Sequence, residues 1–158
     1  TCHRAENTDD PARLDGITKG LGELSKNLAV IFPVHPRTRK ILQASGLIGQ
    51  LQDVKLVDPA PYLDMVQLEH NARLIVTDSG GIQKEAFFFG VPCMTLRDET
   101  EWLETVEAGA NILVGASEER IHLGYQTMSN REFSIDPKPY YGDGSAAAKI
   151  VSLLQSGP

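Results

Sequence analysis

The sequence predicts an α/β domain, a Rossmann-like parallel sheet with helices on both faces, and three observations carry that prediction. Short apolar runs of strand length alternate five times with stretches of helical period, the pattern of an open sheet covered on both sides. One of these runs, Leu74 to Thr77, leads through Asp78 into Ser79-Gly80-Gly81 and then into a helix. Polar loops follow the ends of the runs, and in such sheets ligands bind beyond the carboxyl ends of the strands.

The elements follow in order. Asp9, Asp10 and Pro11 supply an N-cap and a first-turn proline. Leu14, Ile17, Leu21, Leu24 and Leu28 then recur at steps of three and four, which predicts a helix with one buried face. The continuous apolar run from Leu28 to Val34 predicts a strand buried on both sides. A short helix from Arg37 to about Ala44 stops at Gly46, and Val54 to Val57 reads as the second strand. After the break at Asp58-Pro59-Ala60-Pro61, Tyr62, Met65 and Val66 begin a helix. Leu74 to Thr77 is the third strand, Ser79-Gly80-Gly81 a tight turn, and Ile82 to Phe89 the helix after it. Gly90-Val91-Pro92 ends that helix, and Cys93 to Leu96 is the fourth strand. Thr105 to Ala108 is a helical turn closed by Gly109, and Ile112 to Val114 is the last strand. Ile121, Tyr125 and Met128 mark a further helix, and Ala147, Ile150, Val151 and Leu154 the final one, joined by a long loop from Asp136 to Gly144.

A chain of 158 residues suits one domain with a real core. A net charge of -6 with a pI near 5.2 argues against a nucleic-acid partner, which would need a broad phosphate-neutralising surface. Cys2 and Cys93 stand outside any metal-ligand spacing, so neither a metal nor a cofactor is expected, and Cys93 reads as a small core residue. Free thiols suit reducing, cytoplasmic surroundings. No apolar run approaches ~18 residues and no charged-then-apolar leader is evident, so neither a membrane span nor export is expected. The chain opens on what reads as the end of a strand, and the expectation is a piece of a longer protein.

The strand-turn-helix at Ser79 aims backbone N–H groups and the positive end of a helix dipole at one point, which suits a phosphate or diphosphate. Two glycines let the backbone approach an anion with no Cβ in the way; the rival reading is a turn needed only for close packing. Glu85, a turn into the helix, is placed to hold the hydroxyls of an attached sugar, although the dipole alone favours a carboxylate there. Gln83 and Lys84 face solvent or flank the site.

The loop His3-Arg4-Ala5-Glu6-Asn7 is dense in functional groups. His3 can donate to a phosphate oxygen or pass a proton, and Arg4 offers a fork suited to phosphate or carboxylate. Glu6 and Asn7 read equally well as site residues or as a clamp on their own loop. His35 and Arg37, at the next strand end, reach either the same cleft or solvent. In Arg97-Asp98-Glu99-Thr100-Glu101-Trp102, Arg97 and Asp98 can pair with each other. His70 and His122 read as surface positions on helices. The absence of any Ser-His-Asp order weakens a hydrolase reading.

Taken together, the loop from Thr1 to Asn7, Pro33-Val34-His35, the stretch Asp78 to Glu85, Arg97-Asp98-Glu99-Thr100-Glu101 and Glu107-Ala108-Gly109 resemble the non-hydrolysing UDP-N-acetylglucosamine 2-epimerases. The likeness runs from Thr1 to about Gly115 and is weaker beyond. It implies a two-domain fold of the GT-B type in which residues 1–158 form the C-terminal, UDP-binding domain, with the N-terminal domain absent and the full-length protein a homodimer. It implies Ser79, Gly80 and Gly81 at the diphosphate, Glu85 at the ribose hydroxyls, Met65 flanking the uracil, and His3 beside the phosphates as the candidate catalytic group. In that family C2 is inverted by eliminating UDP to a 2-acetamidoglucal and adding it back, and the carboxylates that move protons belong to the other domain.

One departure bears on specificity. The family pattern Thr-Glu-Arg-Pro-Glu is Thr100-Glu101-Trp102-Leu103-Glu104 here, and Trp102 cannot replace the charge of an arginine that contacts ligand. The Thr-Glu-Trp form is similar to the branch acting on UDP-2,3-diacetamido-glucuronic acid, so the sugar stays open between the two. The donor domain of a GT-B glycosyltransferase, which would need an acceptor, and a non-catalytic sugar-nucleotide sensor are the remaining alternatives.

Overall fold

The computed structural model describes residues 1–129 and 136–156. Five strands, β1 (Ile31–Pro33), β2 (Lys55–Val57), β3 (Ile75–Thr77), β4 (Cys93–Thr95) and β5 (Asn111–Leu113), all pair in parallel. They form two sheets, β1-β2 and β3-β4-β5. Helices α1 (Ala5–Thr8), α2 (Pro11–Ser25), α3 (Pro36–Ala44), α4 (Tyr62–His70), α5 (Gly80–Phe89), α6 (Leu103–Glu107), α7 (Glu118–Ser129), α8 (Lys138–Tyr141) and α9 (Ala146–Ser156) connect and cover them. This is the expected parallel α/β pattern.

The strand end read at the start of the chain is present. The Thr1 amino group donates to the Val76 carbonyl at 2.7 Å, and the Asp78 N–H donates to the Thr1 carbonyl at 3.2 Å, one step of a parallel ladder along β3. That step delivers the His3–Asn7 loop to the carboxyl end of β3.

Helix α2 starts where its capping residues place it. The Asp10 side chain accepts from the N–H groups of Ala12 at 2.9 Å and Arg13 at 3.2 Å, and Pro11 holds the first helical position. Its predicted face, Leu14, Ile17, Leu21 and Leu24, is buried. The opposite requirement is small residues where α2 meets α7: a Cβ on Gly20 would stand 2.6 Å from Ile121 Cδ1, and one on Gly16 would stand 2.1 Å from the Ala116 carbonyl oxygen. The core centres on Phe32, Val34, Leu42, Met94, Leu96, Val114, Ile121 and Met128. Cys2 and Cys93 are buried free thiols, and burial pushes the Cys93 thiol up to about 12.

Several expectations are corrected. β1 is not buried on both sides: Ile31 is 45% exposed, because it faces an apolar cavity of about 490 Å³ bounded by β1 on one side and by Leu74 and Val76 on the other. Helix α5 starts at Gly80, so both glycines form its first turn rather than a turn ahead of it. Part of the loop expected from Asp136 to Gly144 is the short helix α8. The final helix exists, yet it buries none of its residues among those described, and Leu153 and Leu154 lie on the surface. No helix among the described residues is long and apolar enough to cross a membrane.

Candidate functional site

The N-terminus of α5 carries free donors. Ser79 is the N-cap, in an extended conformation, and its side chain makes no capping bond. Its own N–H is spent on Thr77 Oγ1 at 3.0 Å. The N–H groups of Gly80, Gly81 and Ile82 have no acceptor within the helix, as for the first turn of any α-helix, and they point along the positive end of its dipole. Neither glycine has positive φ, so what they supply is space. A Cβ on Gly80 would lie 3.2 Å from Trp102 Nε1, 3.7 Å from Glu101 Oε2 and 3.9 Å from Arg4 Nη2. A Cβ on Gly81 would touch only Ser79 Oγ, at 3.8 Å. Gly81→Ala therefore fits the folded chain and should stabilise the unliganded domain by up to ~1 kcal/mol, the helix-propensity difference. If an anion seats on this turn, the same change weakens its binding; thermal unfolding and nucleotide titration of one variant read both.

Asp78 ties the two halves of this junction together, a role that its place in the motif before Ser79 does not by itself assign. It is fully buried. Its carboxylate accepts from the backbone N–H of His3 at 2.9 Å, from that of Arg4 at 2.9 Å and from Asn7 Nδ2 at 3.2 Å. His3 Nδ1 lies 3.3 Å from Asp78 Oδ1, with the His3 side chain about half exposed. When Nδ1 holds a proton it donates to Asp78, which leaves Nε2 as the atom able to meet a ligand. The signal that identifies Asp78 is its place as the last residue before the Ser-Gly-Gly cap, since a carboxylate there reaches backbone donors on the neighbouring chain segment.

The remaining candidates divide into those near the turn and those that build it. Arg4, Glu101 and Trp102 surround the face of Gly80. Lys84 lies over the Trp102 ring at 4.3 Å and over Tyr141 at 4.8 Å, cation–π contacts that hold it beside the site. Asn7 is a clamp: buried, it donates to the Leu96 carbonyl at 2.9 Å and accepts from Arg13 Nε at 3.0 Å. Arg97 donates to Glu101 at 2.8 Å and stands 3.5 Å from Glu6, and it holds the Glu101 carboxyl below the usual carboxylate range. The expected pairing of Arg97 with Asp98 does not form; Asp98 instead meets Arg13 at 2.8 Å and Arg120 at 3.5 Å. Gln83 is buried rather than solvent-facing and accepts from Thr100 Oγ1 at 2.6 Å, so Thr100 braces α5. His35 caps α3 through its Nδ1, which accepts from the Arg37 N–H at 3.3 Å. Arg37 turns to Asp9 and to Thr8 Oγ1, away from the Ser79 turn.

On the other flank, Tyr62 Oη donates to Glu85 Oε1 at 3.4 Å, and Met65 lines the space beside Ile82. Glu69, a turn further along α4, is only 4% exposed, and burial, with the neighbouring Glu85 carboxyl as the next cause, raises it from the ordinary 4.5 to about 7. The folded chain thus holds a proton that the unfolded chain releases above pH 4.5, so this group's stabilising contribution is full below that value and is lost as pH rises through about 7. The expected loss is on the order of 2–3 kcal/mol between pH 4.5 and 8, read by urea unfolding across that range. Among the described residues no cluster of three or more His, Cys, Asp or Glu is arranged to hold a metal ion.

Parallel strands, a helix N-terminus without a side-chain cap at a strand's carboxyl end and a polar loop tied to it define a class: a Rossmann-like α/β domain. Residues 1–155 match the family described as UDP-N-acetylglucosamine 2-epimerase. A Pseudomonas aeruginosa relative named UDP-2,3-diacetamido-2,3-dideoxy-D-glucuronate 2-epimerase is 47% identical over 155 residues, covering 98% of this chain and 43% of its own length. The solved UDP-GlcNAc 2-epimerase of Methanocaldococcus jannaschii superposes with a TM-score of 0.86 at 43% identity, over 99% of this chain and 44% of that one. A structure of the same enzyme in complex with UDP-GlcNAc and UDP gives a TM-score of 0.85 at 42% identity, with the same coverage. The chain belongs to the UDP-N-acetylglucosamine 2-epimerase family. It spans less than half the length of these relatives, and its architecture is that of one domain of the GT-B-type epimerases.

Proposed function

We propose that residues 1–158 are the C-terminal, UDP-binding domain of a two-domain UDP-N-acetylglucosamine 2-epimerase, acting in the cytoplasm and dimeric at full length. The observation that carries the reading is the α5 N-terminus, where the N–H groups of Gly80, Gly81 and Ile82 lack an acceptor within the helix and Arg4 Nη2 stands 3.9 Å from where a Gly80 Cβ would sit. When the anomeric C–O bond of a UDP-sugar breaks, its electron pair goes to a diphosphate oxygen. Open donors and a guanidinium at that oxygen lower the barrier by stabilising the charge as it develops. In this reading Ser79, Gly80 and Gly81 hold the diphosphate, Glu85 the ribose hydroxyls, and Met65 flanks the uracil. His3, fixed by Asp78, meets the phosphates through Nε2. The base that removes the C2 proton comes from the domain absent here, so the chain alone binds UDP and does not turn over.

Titration with UDP, followed at the amides of Gly80, Gly81 and Ile82, tests the site; unmoved amides at saturating UDP would refute it. Glu85→Ala should weaken UDP by ~1–3 kcal/mol, the cost of a charge-assisted hydrogen bond, measured by calorimetry. A second substrate reading rests on Trp102, which stands where the family's usual arginine would, and on the diacetamido-glucuronate relative. The full-length protein, offered UDP-GlcNAc and UDP-2,3-diacetamido-glucuronate in turn, decides between them by C2 inversion.

A further inference from the structure

Lys84 stands in a cage of aromatic rings with no carboxylate to answer its charge. Its ammonium lies 4.3 Å from the centroid of the Trp102 ring, 4.8 Å from that of Tyr141 and 5.9 Å from that of Phe88. The positions three and four steps away on α5 are Gly80, Gly81, Phe87 and Phe88, so the helix itself offers it no acid. The carboxylates next to it or to its rings are turned to other donors. Glu101 takes Arg97 at 2.8 Å, Glu104 takes Tyr141 Oη at 3.5 Å and Glu85 takes Tyr62 Oη at 3.4 Å. Among the described residues no ion pair reaches Lys84.

Ring faces attract an ammonium and leave its charge intact. They also restrict a four-carbon stem that is costly to order on its own. Helical side chains lean toward the N-terminus of their helix, which for Lys84 is the Gly80 end. Trp102 bridges the two: its ring faces the ammonium, and its Nε1 stands 3.2 Å from where a Gly80 Cβ would sit. That Nε1 is enclosed and makes no hydrogen bond, so what the indole offers here is its face. We propose that Lys84 is a diphosphate-binding residue. Held by Trp102 and Tyr141, its ammonium supplies at the α5 N-terminus the positive charge that the family pattern carries on the arginine in place of Trp102. The inference rests on the diphosphate reading of that turn given above. When the anomeric C–O bond breaks, the same charge stabilises the departing diphosphate.

UDP and uridine are the probes, because they share base and ribose and differ in the diphosphate. Lys84→Met keeps an apolar stem among the rings and removes the charge. It should weaken UDP roughly tenfold and leave uridine unchanged, both read by NMR titration. Adding Trp102→Arg to Lys84→Met returns a cation to the same face and should restore most of the lost UDP affinity, which a packing role for Lys84 would not allow. In the unchanged chain, which needs no variant to fold, the Lys84 side-chain resonances should move on addition of UDP and stay in place with uridine. Full UDP affinity in Lys84→Met, an equal loss for UDP and uridine, or unmoved Lys84 resonances at saturating UDP overturns the proposal. Failure of the unchanged chain to bind UDP at all overturns the diphosphate reading and this inference with it, an outcome distinct from UDP binding that ignores Lys84.

Discussion

Asp78→Ala should destabilise the domain by about 3–5 kcal/mol and abolish nucleotide binding with it. Removing the carboxylate leaves the N–H groups of His3 and Arg4 and the amide of Asn7 without their acceptor, and a buried donor left unpaired costs about 1–3 kcal/mol. Asn7 is fully enclosed, so water does not replace the lost partner. Against a total stability of roughly 5–15 kcal/mol for a domain of this size, the loss is large. Asp78→Asn separates the two effects. It keeps the volume and one acceptor oxygen, so it should fold with a smaller loss. Its amide turns a donor toward the donors of the loop, which frees His3 and Arg4 from their fixed places. Urea midpoints for both variants, together with UDP titration of the Asn form, check the result. Full affinity in Asp78→Asn would show that the loop's position does not govern binding.

Gly80→Val should remove UDP binding by ~100-fold or more while leaving the domain folded. The new Cβ enters the space between Trp102 Nε1 and Arg4 Nη2, 3.2 Å from the first and 3.9 Å from the second. Its two methyl groups extend further, over the open N–H groups. Two or three charge-assisted hydrogen bonds are then denied to the diphosphate, each worth about 1.5–3 kcal/mol, and even one lost in full exceeds tenfold in affinity. The helix tolerates valine at least as well as glycine by propensity, and the half-buried Trp102 ring need give by only a few tenths of an ångström. Circular dichroism should therefore stay near that of the unchanged chain. Calorimetry with UDP reads the loss; unchanged affinity would place the diphosphate elsewhere.

Much of the fold was legible in the sequence because its signals are local. The three-and-four spacing from Leu14 to Leu24, the Asp10-Pro11 start of α2 and the Gly90 stop of α5 each depend on neighbours within a turn or two. Gly90, at φ 66°, closes α5 in the left-handed conformation glycine adopts without strain. Errors arose where a boundary depends on distant packing. The glycines after Ser79 read as a turn because glycine is a poor helix former, yet they sit in helical conformation because the first turn has little to lose and needs room. Ile31 read as core because it is apolar and in an apolar run. Its exposure follows from the cavity beside β1, which no local pattern reports. Arg97 and Asp98 are neighbours in sequence, but the chain bends at both after β4 ends, and Arg97 meets Glu101 and Glu6 while Asp98 meets Arg13 and Arg120.

By itself the sequence determined the parallel α/β architecture, the placing of Ser79-Gly80-Gly81 between a strand and its helix, and the family likeness that those motifs carry. Only the tertiary structure decided which polar side chains surround that turn and which merely brace it. Asp78 finds His3 and Arg4 more than seventy residues away, and Asn7 finds Leu96. A buried polar group must be satisfied by whatever the fold brings within three ångströms or so, and that choice is made by packing in space rather than by order along the chain.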